Sequence, residues 1–295
     1  VITSRCNSRC MMCDIWKNSL SSKTKELDFD LKIELIDWLA NQHMAYNLNF
    51  NGGEPLLVTN IDKILQYAFE KGFNTSLDTN GILLNKYYDK LPVNALSVSF
   101  DAPNRQLYKE IRGVDEFNSV IKGIEKAVTQ NYIVASIVVV SRLNINLIPE
   151  IVKELLDMNV NLIQFQPIMV YNKRFSNLKV SNKNFYKSIK PYIGKPWLFN
   201  SKWYIDSFIK KKSWTCKPFC IQVDESGMIN IPCRVEAKGG FRINFKHISQ
   251  LKAIYPHVAK KLIGNCSFCN YACLMEISHF FDFPKILFSF RDGIR

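Results

Sequence analysis

Cys6, Cys10 and Cys13 stand in the run Cys-Asn-Ser-Arg-Cys-Met-Met-Cys near the start of a 295-residue chain. This C-x3-C-x2-C spacing lets three thiolates converge from one tight loop, one short of the four that hold a cubane iron–sulfur cluster. A cluster held by three sulfurs has an iron open to some other ligand. Three neighbouring cysteines cannot all pair as local disulfides, and a zinc knuckle needs a fourth Cys or His close by. The nearest histidine is His43.

Six more cysteines follow residue 215: Cys216, Cys220, Cys233, Cys266, Cys269 and Cys273. Clustered thiols of this kind point to metal in a reducing compartment rather than to a disulfide framework, with the cytoplasm as the default. A four-cysteine zinc site on a hairpin is the alternative for this second group. The longest mostly apolar run, 132–140, is too short to span a bilayer. The sequence opens at Val1 in what reads as a strand, so it is expected to be the covered part of a slightly longer chain.

Elements must bring these residues together. Short β-rich runs fall at 1–4, 46–51, 74–78, 95–101, 133–140 and 162–166, with helical stretches at 31–39, 61–70, 104–129 and 147–158 between them. Repeated strand–helix units imply a parallel sheet, doubly wound or curled into a barrel. Several strands alternate, carrying polar residues on one face: Asn47, Asn49 and Asn51; Asn74, Ser76 and Asp78; Ser97, Ser99 and Asp101; Gln164 and Gln166. Fully covered parallel strands read as continuous apolar runs instead. The alternation therefore favours a half-open barrel with a polar, ligand-filled interior. Beyond it, Met228 follows a glycine turn at Glu225-Ser226-Gly227, which predicts a hairpin over 220–231, and a helix is expected near 248–263.

The formal charge of +13 is concentrated. Between Pro167 and Thr215 there are eleven Lys or Arg and one acid, Asp206, among many aromatics. Such a segment can bind an anionic partner, or it can be a solvated lysine face over core aromatics. No RNA-binding motif accompanies it, which speaks against nucleic acid. The stretch 277–290 is strongly apolar and could dock on a membrane surface or pack back on the barrel.

The N-terminal half resembles the radical S-adenosylmethionine (SAM) enzymes. Besides the cysteine motif, Asn51-Gly52-Gly53-Glu54-Pro55 is similar to the family's GGEP element, and Thr79-Asn80-Gly81 to its TNG turn. The resemblance implies an α/β fold, a partial (β/α)6 TIM-type barrel over residues 1–167. A basic, aromatic-rich helical linker over 168–215 and a small cysteine-rich α+β domain over 216–295 would follow. It also implies a [4Fe–4S] cluster on Cys6, Cys10 and Cys13 whose open iron takes SAM. Gly52 and Gly53 would let backbone approach that ligand, and Glu54 would meet its ammonium or fix the loop that does. Thr79 belongs to the same ligand wall, Ser99 is placed to reach the ribose, and Gln166 the adenine side. Met12 departs from the aromatic residue common before the last cysteine, but its backbone and thioether could still meet the adenine.

The C-terminal cysteines resemble the SPASM and twitch extensions, which bind auxiliary [4Fe–4S] clusters. The resemblance implies one such cluster on Cys216, Cys233, Cys266 and Cys269, with Cys273 a further candidate ligand and Cys220 an alternate. The glycine-to-cysteine gap from Gly227 to Cys233 is one residue longer than usual. The implied activity is reductive cleavage of SAM to a 5′-deoxyadenosyl radical, which abstracts hydrogen from a peptide, protein or small metabolite, with a flavodoxin- or ferredoxin-type reductant. Modification of a lipid or isoprenoid at a membrane surface is an alternative. An RNA-binding or RNA-modifying protein with a structural zinc site is another, of a different class.

Overall fold

The computed structural model describes residues 1–20, 26–41, 47–87, 91–169, 173–210, 222–231 and 241–247. After a short helix α1 (Ile15–Leu20) and α2 (Phe29–Asn41), strand and helix alternate: β1 (Asn47–Phe50), α3 (Ile61–Glu70), β2 (Asn74–Thr79), β3 (Ala95–Ser99), α4 (Arg105–Arg112), α5 (Phe117–Thr129), β4 (Ile133–Val140), α6 (Ile148–Asp157) and β5 (Leu162–Pro167). The five strands form one parallel sheet in sequence order. This is the partial-barrel arrangement expected.

Alternation decides which face is which. Thr75, Leu77, Leu96, Val98, Val134, Val138, Ile163 and Phe165 are buried beneath the helices, whereas Ser76, Asp78, Ser97, Ser99, Gln164 and Gln166 are only half-buried on the other face. The register sets Asn49 beside Ser76 and Asp78 beside Ser97, so polar rows run across β1–β3 and give way to Ala135 and Ile137 on β4. On the inner face the Asn49 amide donates to Asp78 at 3.0 Å. The covered face is apolar because α3, α5 and α6 lay stripes such as Ile61, Ile64, Leu65 and Ala68 against it. Each large side chain so buried contributes roughly 1.5–3 kcal/mol.

Three differences from the sequence reading have physical reasons. Residues 1–4 do not form a full sixth strand: Thr3 makes a single parallel bridge to Gly52, because the chain turns away immediately into the cysteine loop. The long helical stretch 104–129 is two helices, broken where Gly113 takes a left-handed conformation (φ 68°) that caps α4. Asp101, expected on the polar inner face, lies past the end of β3 and is fully buried.

The basic segment folds as α7 (Asn182–Ile189) and α8 (Lys202–Ser207). Phe185, Ile189, Tyr204, Ile205 and Phe208 join the same hydrophobic cluster as the barrel, so these aromatics are core while the lysines face outward. The chain at 197–200 then lies along β5, with the Ile163 N–H donating to the Trp197 carbonyl and the Asn200 amide bonded to Phe165 on both sides.

The hairpin is present as β6 (Gln222–Val223) and β7 (Met228–Ile231), with Gly227 at φ 79° in its turn, and β8 (Phe241–Asn244) extends it to three antiparallel strands. Asp224 closes that turn by accepting from the Ser226 and Met228 amides. The 248–263 helix, the 277–290 stretch and all six C-terminal cysteines lie outside the described residues. Among the described residues no helix is long and apolar enough to cross a membrane.

Candidate functional site: the cysteine loop at the carboxyl ends of the strands

The loop carrying Cys6, Cys10 and Cys13 sits where β1, β2 and β3 end, the edge at which parallel α/β sheets place their chemistry. Its entry is fixed by main chain. The Ile2 N–H donates to the Asn51 carbonyl at 2.7 Å, Gly53 to Thr3 at 2.8 Å and Glu54 to Arg5 at 2.7 Å. A Cβ on Gly52 would stand 2.2 Å from the Thr3 oxygen, and one on Gly53 equally close to that of Arg5. The close approach that these glycines allow is therefore to the chain's own residues 3–5, which lead directly into Cys6.

Glu54 is fully buried. Its Oε1 accepts from the Leu56 N–H at 3.1 Å and the Thr79 hydroxyl at 2.8 Å, and its Oε2 from the Asn80 N–H at 2.7 Å. Burial pushes its carboxyl pKa up, and those donors pull it back. Of the two roles expected for Glu54, meeting an ammonium or fixing a loop, this geometry performs the second. Thr79 is likewise engaged, giving its proton to Glu54 and accepting from the Gly81 N–H at 3.1 Å. Asn80 then reaches into the cysteine loop. Its Nδ2 donates to Asn7 Oδ1 at 2.6 Å and Ser8 Oγ at 3.2 Å, and stands 3.9 Å from Cys6 Sγ.

The opposite side of the loop rests on the end of α4. The Arg9 and Met11 amides donate to the Arg112 and Ile111 carbonyls, at 2.9 and 3.0 Å. The buried Arg112 guanidinium forms an ion pair with Asp101, Nη2 to Oδ2 at 2.5 Å, and donates Nη1 to Cys10 Sγ at 3.7 Å. From the β5 side Arg174 pairs with Asp14, and Met12 packs against the small cluster of Ile168, Phe175 and Leu178. Ser99 and Gln166 are half-buried on the inner face at the ends of β3 and β5.

The thiols themselves suit a metal group. Cys6 Sγ accepts the Ser8 N–H and Cys13 Sγ the Ile15 N–H, each at 3.4 Å. Burial pushes the Cys6 thiol up to about 11, and Cys10, Cys13 and Glu54 add to the rise by charge repulsion. Burial also raises Cys13. Three thiolates held this near one another are costly without a cation, and a metal removes that cost. Among the described residues no trio of Cys, His, Asp or Glu closes around a single metal ion.

The sequence profile of the radical SAM superfamily matches residues 1–165, over half of the chain. The chain belongs to the radical SAM superfamily. Membership brings S-adenosylmethionine and a [4Fe–4S] cluster as the group's cofactors. This radical SAM chain is 34% identical over 134 residues to a probable GTP 3′,8-cyclase of Methanococcus maripaludis, a match covering 43% of each chain. A probable GTP 3′,8-cyclase of Methanocaldococcus jannaschii is 29% identical over 203 residues, covering 64% of this chain and 62% of the relative. The matches thus span less than two thirds of these relatives' lengths. In fold, the chain is similar to anSMEcpe solved with bound AdoMet and the Kp18Cys peptide (TM-score 0.68, 17% identity, 93% of this chain and 86% of that one). It is also similar to Streptococcus suis SuiB bound to precursor peptide SuiA (TM-score 0.68, 14% identity, 93% and 67%).

Asn80, Asp101, Arg112 and Arg174 are the residues around the loop that sequence reasoning did not assign to the site. Asn80 was visible within the TNG element. Arg112, just before a helix-capping glycine, reads in sequence only as a cation at a helix C-terminus.

Proposed function

We propose that Cys6, Cys10 and Cys13 hold a [4Fe–4S] cluster at which SAM is reductively cleaved, and that the resulting radical takes hydrogen from a peptide substrate. The observation that carries this is the loop itself: three thiols on one turn, gripped by β1, β2 and α4 at the mouth of a half-open polar face. The cluster, once reduced by a flavodoxin- or ferredoxin-type donor, supplies the electron that breaks a carbon–sulfur bond of SAM. Gly52, Gly53 and Glu54 keep the loop in place, Ser99 and Gln166 line the inner face beside it, and Met12 packs beneath it. Thr79 joins this wall through Glu54.

A peptide is favoured as substrate because likeness to two peptide-bound structures extends over 93% of the chain, past the barrel. An anionic nucleotide is the second reading, from the names of the sequence relatives and the basic segment at 168–215. Cys216, Cys233, Cys266 and Cys269, with Cys220 and Cys273 as alternates, hold one auxiliary cluster of the SPASM/twitch kind; the β6–β7 hairpin with Gly227 in its turn supports this.

Anaerobic reconstitution followed by a SAM-cleavage assay tests the reading. Changing Cys6, Cys10 and Cys13 together to Ala abolishes 5′-deoxyadenosine formation, and cleavage at the wild-type rate would sink the assignment. Roughly eight irons per chain are expected with an auxiliary cluster, against about four if the second site is zinc. Stimulation of cleavage by GTP but by no peptide would move the substrate to the second reading.

A further inference from the structure

The three cysteines differ in what meets their sulfurs. Among the described residues, Cys6 and Cys13 receive only neutral donors: a main-chain N–H each and, at Cys6, the Asn80 amide at 3.9 Å. Cys10, the buried one, receives a guanidinium: Arg112 Nη1 at 3.7 Å. Arg112 is itself 7% exposed, and Asp101 behind it is 0% exposed. The Asp101 carboxylate is pinned from the far side, with Oδ1 accepting the Val139 N–H of β4 at 2.8 Å. Its main-chain oxygen accepts from Asn144 at 2.9 Å, so the carboxylate has little freedom to turn away.

A buried arginine that served only to join α4 to β4 would be satisfied by a two-pronged grip on its carboxylate. Here the fork is split: one prong goes to Asp101 and the other to a ligating sulfur. A neutral thiol is a weak acceptor, whereas a thiolate bound to iron is a strong one. Hydrogen bonds and positive charge at cluster sulfurs stabilise the reduced, more negative state and so raise the reduction potential. In a buried setting that effect is weakly screened.

We infer that Arg112, oriented by Asp101, is a positioning residue that raises the reduction potential of the cluster through Cys10. The inference rests on the cluster reading above. The step concerned is a one-electron reduction: the external donor is oxidised, the cluster gains the electron, and no bond or proton changes place at Arg112. Arg112 favours that reduction by its charge, and Asp101 opposes it in part by carrying the opposite charge one shell further out.

The test is an anaerobic dye-mediated potential titration, followed by electron paramagnetic resonance, on reconstituted full-length chain with iron content measured in parallel. Arg112→Met lowers the midpoint by about a tenfold change in the reduction equilibrium, ~59 mV for one electron. Arg112→Lys, which keeps the charge but loses the fork, shifts it less in the same direction. Asp101→Asn raises it, because the guanidinium charge is then uncompensated. Opposite signs at the two positions are the signature, since a purely structural pair would lose iron or stability in both variants without moving the potential apart. Should Arg112→Met fail to hold iron, the Lys and Asn variants decide. An Asp101→Asn midpoint unchanged or lowered overturns the inference, as does an unchanged midpoint in Arg112→Lys. A wild-type chain that takes up no iron at Cys6, Cys10 and Cys13 overturns the underlying cluster reading instead.

Discussion

On the β1–β2 side, the cysteine loop is held by main chain and by groups that exchange ordinary hydrogen bonds. Gly52 and Gly53 lie against residues 3–5, and Glu54 and Asn80 stitch the strand ends to the loop. On the α4 side, the main-chain contacts of Arg9 and Met11 are joined by a buried ion pair aimed at a sulfur. The first wall fixes where the loop sits, and a change there should act on folding and metal content together. The second adds a charge beside the metal group, and a change there should act on its electronics while the loop stays in place.

The largest effect that would separate the walls comes from Gly53→Ala. The added Cβ would meet the Arg5 carbonyl at 2.2 Å and that of Ser4 at 2.7 Å, both main chain that cannot swing aside. Destabilisation of about 3 kcal/mol is expected, at the upper end for overpacking, together with loss of iron. Denaturant unfolding and an iron assay check it, and a variant with wild-type stability and full iron would break the comparison.

Glu54→Gln comes next. The amide keeps one acceptor oxygen, but its NH2 then faces a donor of Leu56, Thr79 or Asn80, costing roughly 1–3 kcal/mol. The same unfolding measurement should show the loss, with iron content falling alongside it, and a variant of wild-type stability and full iron would break the comparison.

Acid supplies the smallest test. The Thr3 hydroxyl and the Lys32 ammonium hold the Glu26 carboxyl below its ordinary range against the opposing effect of partial burial. A depressed carboxyl contributes stability that is present above its unfolded pKa, near 4.5, and is lost as pH falls through the folded value. Glu26→Gln should therefore narrow the gap in unfolding midpoint between pH 6 and pH 3.5 relative to wild type. Identical pH dependence in the two would show that this tie does not help to seat the N-terminal segment.

Much of the barrel was legible because its signals are local. Alternation in 74–78 and 95–99 marked which face each strand would cover, and β2 and β3 show that pattern. Asp101 broke the rule: two positions beyond Ser99 it keeps the parity of the inner face, but the strand has ended and parity no longer fixes direction. The helix break at Gly113 was similarly hidden, since one glycine within a helical pattern does not announce a cap. At the loop, residue types named Gly52 and Gly53 as sites of close approach, but the partner expected there was the ligand, whereas residues 3–5 of the chain itself lie against them.

The spacing of Cys6, Cys10 and Cys13, and the turns that follow β1 and β2, are properties of contiguous residues, so the sequence alone determined the three-thiol loop and the strand ends that frame it. Only the tertiary structure decided which distant groups reach the sulfurs. Asn80 and Arg112 stand 74 and 102 positions from their cysteines, and no periodicity or composition records a contact made across that separation. Packing of α4 over the end of β3 brings a buried charge to Cys10, and that depends on Asp101, Arg112 and β4 having come together across the fold.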